Sequence, residues 1–499
     1  MERDIKFGEF LRNARKREGI TQYQLGKLLD VSDRAVSKWE NGLSKPNSKL
    51  LLKISELFCI SIDELLAARL NSNEMIQVEI EKTRNDILKI LDDIILSKYG
   101  HFPAVEVISR YEKEKLAFAN CSMLEILYCI SALKTEAQTS GNKIKVMGAL
   151  GSSFIAFLLG VTSINPLPPH YYCPKCRCTE FVSEVRDGWD LPNKKCECCN
   201  VLLECDGHSL PFEVYRHVIN KKTGFDIIIN KSFYDSVERF IIDKLSDFSI
   251  TILKNPDELY RGKIASEATT FIIQPIDKKR HIKKFGHTPI LSEYISSLSD
   301  HLYINLMFDD SFERIIELEN IINLPYERIN FKEELFLNNL LHMDSENSNF
   351  YKLLNKYTIT SFNGLIHLFG IAMLSDEYPC VLEPMYDNLE SIDRAIVYRD
   401  DLFDLICEKL RSYGCYDFEL AYTIMNNARK GMYHRKGVDA ATKKILSSIG
   451  FSHDFCLFLE SIQYMFSKAA GILFLEKKLT LLWYKLHHPS EFMYVFGKE

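Results

Sequence analysis

The sequence predicts a multidomain chain. A small all-α domain of five short helices leads through a helical linker into a larger region built around a four-cysteine zinc knuckle. Three observations carry this: five helical patterns in succession over residues 5–67, one longer helical pattern over 74–98, and the paired spacings Cys173-x2-Cys176 and Cys196-x2-Cys199. At 499 residues the chain is long enough for two or three domains, each with a sizeable core. Its 46% hydrophobic and 26% charged content is ordinary for a soluble globular protein. A formal net charge of −6 gives no global nucleic-acid signature, so any basic patch must be local. No apolar run approaches the roughly 18 residues that span a bilayer. The longest candidate, Phe154 to Ile164, is broken by Gly160 and reads as a buried helix, so a cytoplasmic protein is expected.

In the N-terminal domain, residues 1–70, Ile5, Phe7, Phe10, Leu11 and Ala14 recur at helical spacing until Gly19 stops the first helix. Thr21 with Gln24 forms a capping-box pattern before Leu25, Leu28 and Leu29. Ser32 caps a third helix from Asp33 to Glu40, ended by Asn41-Gly42. Leu50, Leu51, Ile54 and Leu57 mark a fourth helix and Ile62 to Leu66 a fifth. The run TQYQLGKLLDVSDRAVSKWENG resembles the Cro/C1-type (XRE) helix-turn-helix family, which implies that the third helix enters the major groove of double-stranded DNA. Asp33, Arg34, Ser37 and Lys38 occupy its outward face, while Ala35, Val36 and Trp39 are spaced for the core. Gln22 and Lys45 are placed for phosphate contact. Any one of these could be a solvated surface residue; the set, in this motif, reads as a DNA interface.

A polar hinge, Asn71-Ser72-Asn73, opens the linker of residues 71–104. Beyond it Ile76, Ile80, Thr83, Ile87, Ile90 and Ile94 repeat in alternating steps of four and three, an a/d seam that suits a homodimer or a helix packed on the next domain.

Residues 165–212 hold half of the fourteen cysteines. Two Cys-x2-Cys turns facing each other complete a tetrahedral sulfur shell for Zn²⁺, a structural rather than catalytic site because no position is left for water. Cys178, Cys198 and Cys205 lie close by, but only the outer pairs have matching spacing. No secretory signal precedes them, which argues against disulfides.

The run GSSFIAFLLGVTSINPLPPHYYCPKC, followed by DLPNKKC and DGHSLPFE, resembles the palm of the PolC-type, C-family replicative DNA polymerases, whose palm carries such a knuckle at this point. The resemblance implies an α+β palm over residues 105–310 and helical fingers over 311–499. It also implies a phosphate-holding turn, here Gly148, Gly151 and Ser152, with Met147 where the family has an arginine. Arg399, Arg429 and Lys468 match further conserved basic positions of the fingers, and Asn363 lies in a matching SFNGL segment. His487 and His488, taken alone, might be metal ligands or acid–base groups; before Pro489 they read as a structural pair ending a helix.

Two-metal nucleotidyl transfer requires carboxylates that hold two Mg²⁺ ions roughly 3.5 to 4 Å apart. In the family's terms Asp226 is a remnant, Ile228 stands where its partner carboxylate is expected, and Asn305 replaces the third. Asp309 and Asp310 read as a helix N-terminus. One carboxylate leaves Mg²⁺ without its ligand set, so no residue is assigned as catalytic. The expectation is a sequence-specific DNA-binding regulator whose inert polymerase-like module senses or mimics replication components, with a role in mobile elements or phage defence. The alternatives are a reduced nucleotidyltransferase using Asp226 with Asp309 or Glu267, and a decoy that binds replisome proteins.

Overall fold

A computed structural model describes residues 5–44, 46–47, 50, 53–54, 57–58, 72–119, 123–219, 223–246, 248–254, 268–275, 302–324, 353, 357, 359, 361–377 and 392–497. The chain divides into two compact units, with the main boundary between Asp86 and Ile87. Among the described residues no single helix is long and apolar enough to cross a membrane.

The first unit holds α1 (Ile5–Arg17), α2 (Gln22–Leu29) and α3 (Asp33–Glu40). The capping box forms as its sequence demands: Gln24 N donates to Thr21 Oγ1 at 3.2 Å and Thr21 N to Gln24 Oε1 at 2.7 Å. Ser32 caps α3 by accepting from Ala35 N. Phe7, Leu11, Leu25, Leu29, Val36 and Trp39 pack into one core with Ile54 and Phe58. The turn between α2 and α3 closes so tightly that a Cβ on Gly26 would sit 2.8 Å from Val31 O. Of the expected fourth and fifth helices, Leu51 and 62–66 lie outside the described residues.

Helix α4 (Ser72–Tyr99) crosses the boundary between the units. It corrects one expectation and bears on another. Ser72 and Asn73 are helical rather than a hinge. In its second half the buried face is Ile87, Leu91, Ile95 and Tyr99, spaced at four, while Ile90 is 36% exposed. A stripe stepping every fourth residue packs on a domain surface, which fits the second of the two readings, a helix packed on the next domain. The side chains of Ile76 and Ile80 lie outside the described residues.

The second unit continues with α5 (Val105–Phe118) and α6 (Met123–Thr139). A five-stranded sheet follows, ordered β1-β5-β8-β7-β6, from β1 (Ile144–Met147), β5 (Thr223–Ile229), β6 (Phe248–Lys254), β7 (Ala268–Pro275) and β8 (Leu302–Met307). Strands β5 and β8 run parallel; β1 on β5 and β7 on β8 run antiparallel. A three-stranded sheet, β3-β2-β4, made of β2 (His170–Tyr172), β3 (Thr179–Phe181) and β4 (Glu204–Asp206), is inserted between β1 and β5. The helices that concern the site are α7 (Asp310–Ile322), α8 (Phe362–Glu377), α9 (Arg399–Ser412), α10 (Phe418–Arg429) and α11 (Lys468–His487). As expected, α11 ends on His487, with Trp483 stacked on it at 4.6 Å, and Pro489 opens the next helix.

One buried charge organises the first unit. Glu40, at the end of α3, accepts from Arg15 Nε at 2.6 Å, Arg15 Nη2 at 3.1 Å and Gln22 Nε2 at 2.9 Å. Burial alone would raise its pKa, but Arg15, Gln22 and Arg12 outweigh that and hold it below the usual 4.5. Because the folded value lies below the unfolded one, the stabilisation is complete above about pH 4.5 and is lost as pH falls through the folded value. Glu40→Gln should therefore lower the stability of this unit by about 3 kcal/mol at neutral pH. The check is hydrogen-exchange protection of the α1, α2 and α3 amides, with the difference from the parent chain shrinking in acid.

Candidate metal centre and nucleic-acid sites

Two backbone turns of the same geometry carry the four cysteines. Cys173 N donates to Cys178 O at 2.9 Å and Arg177 N to Cys173 O at 2.8 Å; in the second turn Cys196 N donates to Val201 O and Asn200 N to Cys196 O, both at 2.8 Å. Each turn closes through a non-glycine residue at positive φ, Arg177 at 63° and Asn200 at 55°. The four sulfurs all lie within 4.8 Å of one another, and Cys176 Sγ is 3.6 Å from Cys196 Sγ. A tetrahedral ion with sulfur ligands at about 2.3 Å sets its sulfurs a little under 4 Å apart, so the donor set fits a metal ion. Cys178 and Cys198 are exposed and stand outside this group, as the spacing argument required.

The five-stranded sheet brings together the positions at which the sequence reading looked for carboxylates. Strand register sets Asp226 beside Asn305 on β8 and opposite Met147 on β1. Asn305 Nδ2 donates to Asp226 Oδ1 at 2.8 Å. Two residues along on the same face, Ile228 is buried with Met307, Phe312 and Ile316, and Met147 packs against them. Helix α7 thus covers the second position with hydrocarbon. Asp309 caps α7, accepting from Ser311 N and Phe312 N, and also accepts from Lys477 Nζ at 2.5 Å. Among the described residues the only group of three or more metal-ligating side chains is the cysteine cluster. Glu267 lies outside the described residues.

The glycine turn lies against the start of α11: a Cβ on Gly151 would fall 2.8 Å from Ile164 Cδ1 and 2.9 Å from Ala469 Cβ. Gly148 enters the turn at φ 90°, and Ser152 is fully buried. Just beyond, the buried Glu114 carboxylate accepts from Phe154 N, Ile155 N and Ser153 Oγ, so those donors are already used. Lys468 is also buried; its Nζ donates to Asn363 Oδ1 at 2.9 Å and lies 3.8 Å from Asp401 Oδ1. His367 Nε2 lies 3.2 Å from Asp401 Oδ2. Burial opposes it, yet His367 and Lys468 pull the Asp401 carboxyl down to about 2. Arg399 is 4% exposed, and its Nε and Nη2 have no hydrogen-bond partner among the described residues. Burial first, and the Arg399 charge second, lower the pKa of Arg429. Sequence reading missed His367 and Glu114. The i, i+4 spacing of Asn363 and His367 was the available signal for the first, while Glu114 meets its partners only through the fold.

On the first unit, Asp33, Arg34 and Lys38 are exposed and Ser37 half-buried, with Val36 and Trp39 turned inward. The Gln22 side-chain amide donates to Glu40, where it supports the packing of α2 on α3. Lys45 lies outside the described residues.

Chain purified without chelator should carry one metal ion per molecule by atomic emission. Cys196→Ser should lose it, whereas Cys198→Ser should keep it.

Residues 11–65 match the helix-turn-helix family model. DNA polymerase III PolC-type of Mycoplasmopsis pulmonis is 25% identical over 476 residues, covering 81% of this chain and 32% of that protein. The PolC-type polymerase of Thermotoga maritima is 36% identical over 147 residues, 29% of this chain and 11% of that protein, and that of Bacillus cereus 38% over 121 residues, 24% and 8%. The chain spans at most about a third of the length of these relatives. It therefore joins an XRE-type helix-turn-helix domain at its N-terminus to a region similar, at low identity over most of the chain, to PolC-type DNA polymerase III.

Proposed function

We propose that this protein is a sequence-specific DNA-binding regulator whose PolC-like region no longer transfers nucleotides and instead recognises a component of DNA replication. The observation that carries the proposal is the neutralised acidic site: Asn305 occupies a carboxylate oxygen of Asp226, and Ile228 is sealed under α7. Two hard cations need several converging carboxylates, and one shared with an amide cannot supply them. In this reading Arg34, Ser37, Lys38 and Asp33 meet base edges in the major groove, with Gln22 and Lys45 near the phosphates. The metal is zinc, because four thiolates in a closed tetrahedral shell match its preference.

The buried guanidinium of Arg399, whose charge also bears on Arg429, favours an anionic effector such as a nucleotide phosphate. A buried arginine with unused donors is costly unless an anion meets it. The retained Asp226 favours the second reading, a reduced polymerase.

Primer extension with Mg²⁺ or Mn²⁺ separates the two. No incorporation is expected, whereas incorporation abolished by Asp226→Ala would establish the enzyme. Recovery of bound DNA from cells should yield a defined set of sites with the full chain and lose that set when residues 1–70 are removed. Unchanged recovery would take DNA reading away from the N-terminal helices. A labelled nucleoside triphosphate should bind the full chain at least about tenfold more weakly after Arg399→Ala, read by fluorescence anisotropy, since one charge-assisted contact is worth roughly that much.

A further inference from the structure

The carboxyl end of α4 is completed by the first turn of the cysteine knuckle. A helix leaves its last four carbonyls without intrahelical donors. Gly100, at φ 76°, returns its N–H to Leu96 O at 3.0 Å. The other donors come from the residues that flank the proposed ligands. Tyr172, directly before Cys173, donates its hydroxyl to Lys98 O at 2.6 Å. Arg177, directly after Cys176, donates Nη1 to Leu96 O at 3.4 Å. The ring of Tyr99 meets Tyr172 edge-on at 5.8 Å and Phe154 at 6.0 Å, and Lys98 Nζ lies 4.0 Å from the centre of the Phe157 ring.

Arg177 reaches the helix only from the left-handed conformation that closes the knuckle, which non-glycine residues seldom adopt. Nothing local to an arginine favours that conformation. Closure of Cys173 and Cys176 around a shared centre does, through the Arg177 N–H bond to Cys173 O.

We propose that the metal held by Cys173, Cys176, Cys196 and Cys199 fastens the last turn of the linker helix, making the anchorage of the helix that leads to the DNA-reading domain dependent on metal occupancy. This rests on reading the cluster as a metal centre. With the ion present the first turn is rigid and delivers Tyr172 and Arg177 to the carbonyls of α4. Without it the sulfurs have no common partner, Arg177 relaxes to an ordinary backbone conformation, Leu96 O keeps only the Gly100 N–H, and Lys98 O turns to water. The last turn then frays, while helices distant from the knuckle are untouched.

Hydrogen exchange on the full chain, read by mass spectrometry with metal content measured in parallel, decides this. In metal-loaded protein the peptide covering 95–100 should be protected. After chelation, or in Cys196→Ser, it should exchange at least about tenfold faster, with α10 unchanged. The double variant Tyr172→Phe, Arg177→Ala should loosen the same peptide while still holding one metal per chain, which guards against a chelated protein that simply unfolds. If metal leaves and only the knuckle peptides lose protection, or if the double variant exchanges like the parent, the anchor is refuted while the metal centre stands. If purified chain never holds a metal, both readings fall together.

Discussion

Four sulfurs gathered within 4.8 Å impose the constraint from which much of the second unit follows. As thiolates they repel, and only a cation at their centre turns that repulsion into cohesion. The surrounding ribbon has three strands of three residues and a small apolar cluster around Tyr171, Leu191 and Leu203, too little to hold itself together. Its loops nonetheless do structural service elsewhere. Trp189 packs on Phe362 at 4.3 Å, and Asp190 accepts from the N–H groups of Phe362 and Asn363 at the start of α8. The cysteine ribbon therefore touches both the end of the linker helix and the beginning of a core helix.

The face of the five-stranded sheet beside Asp226 follows a different logic. Lys145, Met147, Asp226, Ile228, Asn305 and Met307 share registered positions across β1, β5 and β8. A cluster of carboxylates there would demand cations to offset mutual repulsion. The residues actually present ask for none: an amide satisfies the single carboxylate, and aliphatic side chains let α7 lie directly on the sheet. With Ile228 and Met307 packed under Phe312 and Ile316, this part of the sheet face is core rather than open surface.

In the C-terminal helices the balance is reversed, and charge is kept inside. Lys468 Nζ and His367 Nε2 lie 3.8 Å and 3.2 Å from the Asp401 carboxylate, and the Lys468 backbone N–H donates to Asp400, partners of the kind that a low-dielectric interior requires. Arg399 is the exception, since Asp400 Oδ2 approaches its Nε only to 3.6 Å and two of its nitrogens are left over. That imbalance is what distinguishes a potential recognition site from a structural network.

Local chemistry made the first three helices, their caps and the cysteine ligand set legible in the sequence. Capping boxes, helix stops and Cys-x2-Cys turns are written over three or four consecutive residues, and their geometry needs nothing from afar. The identity of Asp226, Ile228 and Asn305 was legible for the same reason, once a resemblance aligned their strands. The packing of the linker helix was left open between two readings because a heptad seam and an i, i+4 stripe overlap at Ile87 and differ only in which neighbour covers them. That Asn305 bonds Asp226, that Glu114 takes the donors after the glycine turn, and that Tyr172 and Arg177 finish α4 were decided by tertiary structure alone. Each depends on strand register or helix rotation, which are set by long-range packing and leave no mark in the spacing of nearby residues.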